Sequence, residues 1–171
     1  MVRFQPKTFR QCRPDGKGGE IWNLEGVRRV LYRLPELMAA PQEATVYFVE
    51  GEKDVNNLYI LGLVATCNPG GAGKFTKEMR EPLKGKNIAI IADKDEPGRR
   101  HAHQVAALLN GFAASIKIIE LPGDMVKDAS DWIQNGGTRQ ALDKLVQDTP
   151  RAEIQPLIIV NDRHMREIAS D

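Results

Sequence analysis

The sequence predicts an α/β fold, a mainly parallel sheet with helices on both faces, preceded by a small amino-terminal hairpin and helix piece. Three observations predict it. From Thr45 onward, short apolar runs rich in β-branched residues alternate with stretches of helical spacing, the rhythm of a parallel sheet covered on both sides. Two of the strand-like runs end in acid: Thr45-Val46-Tyr47-Phe48-Val49 in Glu50-Gly51, and Asn87-Ile88-Ala89-Ile90-Ile91-Ala92 in Asp93-Lys94-Asp95-Glu96-Pro97-Gly98. The first forty residues lack this rhythm and instead hold a turn-forming cluster.

Residues 4–13 and 19–27 flank Pro14-Asp15-Gly16-Lys17-Gly18 and read as one hairpin, with Trp22 and Leu24 turned to a core. Pro35 opens a short helix over 35–40, and Pro41-Gln42-Glu43 marks a boundary. After the first acid-ended strand, Val55, Leu58 and Leu61 place a helix over 53–61, stopped by Gly62. A short strand, 63–67, leads into the loop Asn68-Pro69-Gly70-Gly71-Ala72-Gly73-Lys74, and a helix is expected over 75–83. The central strand follows. Ala102, Val105, Ala106 and Leu109 share one face of a helix over 97–109. A strand over 115–121 and helices over 128–134 and 138–147 complete the rhythm. Three segments result: 1–41, the front piece; 42–150, the α/β domain; and 151–171, a tail or the start of a following module, strand-like over 156–160.

Length and composition exclude several classes. A chain of 171 residues can bury a sizeable core. Its 42% hydrophobic and 27% charged residues are those of a globular rather than a disordered chain. No apolar run approaches a membrane span, and no secretory leader pattern opens the chain. Cys12 and Cys67 have neither metal-ligand nor disulfide-framework spacing, so the expectation is a cytoplasmic, reduced protein. The net charge of +1 is unevenly spread: residues 1–40 hold eight basic against four acidic side chains. A basic front beside acidic strand ends suits a nucleic-acid partner, although a solvated basic face has the same composition.

The acids carry the chemistry. Two carboxylates one residue apart at a strand's carboxyl end repel each other, and a hard divalent cation removes the repulsion while keeping water and phosphate ligands. That edge is where open α/β sheets bind ligands. Asp95 also suits the lead-in to the helix opened by Pro97. The glycine loop is not a Walker loop, because Asn68 and Phe75 stand where that pattern needs Gly and Ser or Thr. Gly70, Gly71 and Gly73 still allow backbone amides to approach a phosphate, with Lys74 adding charge; a plain strand-to-helix turn has the same composition. Asp128 or Ser130 suits a helix N-cap, and Asp128 also suits a third acid. Trp132 reads as core. His101 and His103 diverge on a helix and do not form a zinc pair; His164 carries no signal.

Val49-Glu50-Gly51, Asp93-Lys94-Asp95 and Lys127-Asp128 resemble the three signatures of the Toprim domain, shared by bacterial-type primases, type IA and type II topoisomerases, some nucleases and recombination proteins. Val49 to Asp54, Asn68 to Gly73, Asp95 to Ala102 and Lys127 to Trp132 resemble phage and prophage primases or primase-helicases. So does the front piece, through Arg13-Pro14-Asp15-Gly16, Trp22-Asn23-Leu24 and Tyr32-Arg33-Leu34-Pro35-Glu36-Leu37. The resemblance implies a Toprim-type, Rossmann-like sheet and metal-dependent nucleotidyl transfer making RNA primers on single-stranded DNA. It implies Mg²⁺ or Mn²⁺ at Glu50, Asp93 and Asp95, with Asp128 a further acid and Glu50 a general base. Lys53, Gly70, Gly71, Lys74 and Arg99 are the expected nucleotide and phosphate contacts, and Arg28 and Arg29 the expected template contacts. Expected partners are template DNA, nucleoside triphosphates and a helicase domain or protein. The zinc ribbon and helicase P-loop usual in such primases are missing from the sequence, so it reads as an excised fragment or a small stand-alone Toprim protein. Metal-dependent cleavage and non-catalytic binding are the alternative functions.

Overall fold

The computed structural model describes residues 2–4, 8–23 and 25–154; the expectations for Leu24, 156–160 and His164 lie outside them. The front piece folds as two small antiparallel ladders. β1 (Val2–Phe4) pairs with β2 (Thr8–Arg10), and β3 (Arg13–Pro14) pairs with β4 (Glu20–Ile21). The single hairpin expected over 4–13 and 19–27 is therefore divided. Pro6, with no N–H to give a ladder, falls inside its first strand. The expected turn does close β3 onto β4. Asp15 accepts from the Lys17 and Gly19 N–H groups at 2.7 and 2.8 Å, and Gly16 and Gly18 take positive φ.

The short helix α1 (Leu34–Ala39) carries Pro35 in its first turn. Before it, Arg33 adopts a left-handed conformation, φ 53°, unusual for a residue with a side chain. Its guanidinium holds Glu36 at 2.8 Å and Asn56 at 3.1 Å and lies 3.8 Å from the Tyr59 ring centre.

The main sheet contains β5 (Thr45–Phe48), β6 (Val64–Thr66), β7 (Asn87–Ile91) and β8 (Ser115–Ile119), all parallel, in the order β6-β5-β7-β8. The helices are α2 (Glu52–Ile60), α3 (Glu96–Leu109), α4 (Ala129–Gln134) and α5 (Arg139–Asp148). Alternation along the strands divides the core in two. Val46, Phe48, Ile88 and Ile90 pack with Leu37, Phe75, Val105 and Leu109; Tyr47, Ala89 and Ile91 pack with Val55, Leu58, Trp132 and Leu142. The helix expected over 75–83 is instead two 3₁₀ turns, Lys77–Met79 and Glu81–Leu83. Pro82 lies in the first turn of the second, and its missing N–H and ring oppose a continuous helix.

Both sheet edges are met by chain. The Tyr32 N–H donates to Cys67 O at 2.9 Å and the Thr66 hydroxyl to Tyr32 O at 2.7 Å, beside β6. The Ala152 N–H donates to Ile116 O at 2.8 Å, beside β8. Between α4 and α5 the chain turns so closely that a Cβ on Gly137 would lie 2.3 Å from the Trp132 indole. Gly137→Ala should thus force Trp132 from its seat and cost about 1–3 kcal/mol, the usual range for overpacking. Urea unfolding followed by tryptophan fluorescence checks this; an unchanged midpoint would mean that the turn relaxes freely.

Candidate active site

The strand order reverses direction at β5. The chain goes from β5 out to β6, then returns to the other side of β5 as β7. The crevice at such a switch point, outside the carboxyl ends of the strands, is the usual ligand site of open α/β sheets. Phe48 is in register with Ile90, so Glu50, two residues past Phe48, and Asp93, three past Ile90, emerge side by side. They line a cavity of about 680 Å³ together with Gly51, Lys53, Asp54, Asn68, Gly70, Gly71 and, from the front piece, Gln11.

Each acid is differently held. Burial, then the charges of Glu50, Asp54, Asp128 and Asp95, push the Asp93 carboxyl up to about 7. Burial and the Asp95 and Asp54 charges raise Glu50 also, with the Ala72 N–H pulling the other way. Asp95 is exposed and caps α3, accepting from the Gly98 N–H at 2.7 Å. Asp128 caps α4 through the Asp131 N–H at 2.7 Å. Each of these two acids therefore serves a helix, as the sequence allowed, while its charge still bears on Asp93. Lys94 does not neutralise its neighbours: its ammonium group reaches Gly123 O at 2.6 Å, and its N–H donates to Lys127 O at 2.9 Å. These bonds tie the β7 loop to the segment leading into Asp128.

Two residues given no role from the sequence prove structural to the site. Asp54, in the first turn of α2, is buried and accepts from Ser130 N and Oγ at 2.9 and 2.5 Å. Asn57 adds a bond to Ser130 Oγ at 2.8 Å. This network fixes α2, which follows Glu50, to α4, which follows Asp128. Burial raises the Asp54 carboxyl, and the Ser130 hydroxyl opposes the rise. Gly98 is the second. A Cβ there would lie 2.6 Å from Asp93 Cβ and 2.8 Å from Asp93 O, so only glycine lets α3 press against Asp93.

Of the other expected contacts, Gly70 and Gly71 take φ of 87° and 75°, and Lys53 and Lys74 are exposed. Arg99 pairs with Glu120 at 3.2 Å on the surface. Arg28 and Arg29 are exposed in the segment before α1 and do not line the cavity. His101 is buried and His103 exposed. Among the described residues, no three His, Cys, Asp or Glu side chains are gathered closely enough to cage an ion. The donors nonetheless suit a hard cation in kind: all are carboxylates, and Mg²⁺ completes its shell with water and phosphate.

The repulsion has a thermodynamic consequence. A carboxyl raised in the folded state binds its proton more tightly there than in the unfolded chain. Asp93 thus favours folding below its ordinary value of 3.8, and that contribution is lost as pH rises through about 7. With a chelator present, wild-type stability should fall between pH 4 and 8. Asp93→Asn should flatten the fall and melt roughly 2–4 °C higher at pH 8. Parallel pH profiles of the two melting temperatures would show that Asp93 is not repelled.

Residues 44–133 match the Toprim-like family. A search of curated proteins finds no match. Among solved structures, the Escherichia coli primase catalytic core is similar at a TM-score of 0.55 and 22% identity, over 71% of this chain and 39% of that one. The DnaG primase catalytic domain bound to single-stranded DNA gives 0.56 and 21%, over 71% and 40%. A chain from the bacteriophage T7 complex of lagging-strand DNA polymerase with gp4 primase domains gives 0.54 and 20%, over 67% and 59%. The chain thus spans less than two thirds of the length of each of these structures, and at such identities the likeness is one of fold. With the family match covering its acid-ended strands and the helices between them, the chain belongs to the Toprim-like family.

Proposed function

We propose that this chain is the catalytic Toprim module of a DNA primase, joining nucleotides into RNA primers on single-stranded DNA during replication of a phage, prophage or mobile element. The observation that carries the reading is the convergence of Glu50 and Asp93 in one cavity with the glycine loop, their carboxyls raised by burial and by the acids around them. Folding against such repulsion is a cost that function tolerates.

Glu50, Asp93 and Asp95, with Asp128 behind them, would hold Mg²⁺ or Mn²⁺. Bound there, the metal supplies Lewis-acid stabilisation of the attacking and leaving oxygens. Glu50 is also suited to accept the proton of a primer 3′-hydroxyl, since its raised affinity for protons brings it nearer to a working base. Lys53, Lys74 and the amides of Gly70 and Gly71 receive the triphosphate. Arg99 can exchange its exposed partner Glu120 for a phosphate at little cost. Arg28 and Arg29 track the template backbone, which positions DNA without reading its sequence. A helicase domain or protein is the expected companion.

The tyrosines weigh against topoisomerase chemistry. Tyr47 is buried and donates to Asp143 at 3.1 Å, Tyr32 donates to Asn56 at 3.3 Å, and Tyr59 lies beneath Arg33. None of the three lines the cavity.

Incubation with labelled nucleoside triphosphates, single-stranded template and Mn²⁺ should yield dinucleotides and short RNA. Asp93→Asn should lower the yield by at least about a hundredfold, the scale of losing a general catalytic group. Plasmid nicking without primer synthesis would replace this reading with metal-dependent cleavage. The double substitution Arg28→Ala, Arg29→Ala should weaken oligonucleotide binding and reduce the salt slope by about two. Fluorescence anisotropy at several salt concentrations measures that slope; an unchanged slope removes these arginines from the DNA path.

A further inference from the structure

We propose that His101 is a positioning residue for the glycine loop, fixing its backbone amides and Lys74 for the phosphates of a nucleoside triphosphate; the inference rests on the nucleotidyl-transfer reading above. The loop spans residues 68–74, between two buried anchors. Asn68 is 2% exposed and donates through Nδ2 to Gly71 O at 2.8 Å. Phe75 is equally buried and meets the Phe48 ring edge-on, with centroids 5.2 Å apart. Between the anchors, Gly70, Gly71 and Gly73 all take positive φ, the left-handed conformation that enters anion-binding nests. The crown of the loop touches the acids: the position of a Cβ on Gly71 is 4.0 Å from Glu50 Oε1.

His101 reaches this loop from α3. Its Nδ1 accepts the Gly73 N–H at 3.0 Å. Gly73 itself is exposed, and the bond it gives is part-buried. The histidine has a cost of its own. It is 5% exposed, its ring centre is 6.3 Å from that of Phe48, and Nε2 is buried without a hydrogen-bond partner. With Nδ1 accepting, the neutral ring carries its proton on that unpartnered Nε2, a desolvated donor that lowers stability. A leucine would fill the space without it. What the imidazole provides instead is a hold on Gly73. Burial lowers the imidazole's proton affinity, which keeps Nδ1 an acceptor. The same helix presses on Asp93 one turn earlier, through Gly98, so α3 sets the loop and the acid against each other.

The test compares three variants of the full chain. His101→Leu keeps the volume and removes the acceptor. His101→Asn returns an acceptor near the Nδ1 position, and His101→Gln places its amide near Nε2 instead. Affinity for ATP with Mg²⁺ should fall roughly tenfold in His101→Leu and His101→Gln, the effect of about one such bond. It should return toward wild type in His101→Asn, with oligonucleotide affinity unchanged throughout. Amide exchange at Gly73 should quicken in the first two and recover in the third. Wild-type ATP affinity in either His101→Leu or His101→Gln overturns the role, so a Leu variant that fails to fold leaves the Gln variant to decide. Primer synthesis without the ATP contrast removes His101 and leaves the transfer reading intact. The ATP contrast without primer synthesis does the reverse. A wild-type chain that does not bind ATP overturns the role of His101 outright.

Discussion

Two carboxylates that repel each other stand side by side because the strands beneath them are hydrogen-bonded neighbours. The β5–β7 pairing is set by buried apolar residues on both faces, Val46 and Phe48 on one and Tyr47 and Ala89 on the other. A shift of one residue would turn every such side chain to the opposite layer. The register is therefore held by the whole core, and the positions of Glu50 and Asp93 follow from it. The remaining devices adjust what the register imposes. Gly98 brings α3 against Asp93, Asp95 caps that helix, and the Asp54–Ser130 network closes the far side.

Much of this was legible in the sequence because it rests on local rules. Strand runs ending in acid, a proline opening a helix and a glycine-rich loop all show in short windows. Asp95 and Asp128 illustrate an ambiguity that sequence alone leaves open. A carboxylate before a helix suits both a cap and a charged site, and here each makes the cap bond while its charge still reaches Asp93. The helix expected over 75–83 failed on Pro82, whose local effect outweighed the apolar spacing around it. The roles of Asp54, Gly98 and His101 were missed for a different reason. Their roles arise from what another element brings to them: Ser130 from α4, Asp93 from β7, and Gly73 from the loop. A clue did exist for Asp54. It lies four residues after Glu50 and in the first turn of the helix, where an acid that is buried must have a partner.

The front piece and the acidic edge are not independent. Gln11 lines the cavity, and Leu31 is buried in the core beside Leu37. The linking segment runs along β6 through the Tyr32 and Thr66 bonds and turns into α1 at the left-handed Arg33. That residue's unfavourable backbone is held by three separate contacts, with Glu36, Asn56 and Tyr59. Strain of this kind persists only where surrounding groups over-determine it, so the direction in which the front piece leaves the sheet is specified rather than left to a loose linker.

The covered edges of the main sheet limit how another protein can join it. An open edge strand offers a row of N–H and carbonyl groups on which an incoming peptide can form an additional strand. Here Cys67 O and Ile116 O already accept from Tyr32 and Ala152 of the same chain. Recognition at those places would have to be written in side chains, on helix faces and loops. Surface substitutions could then retune a partnership without disturbing the register that holds the acids together.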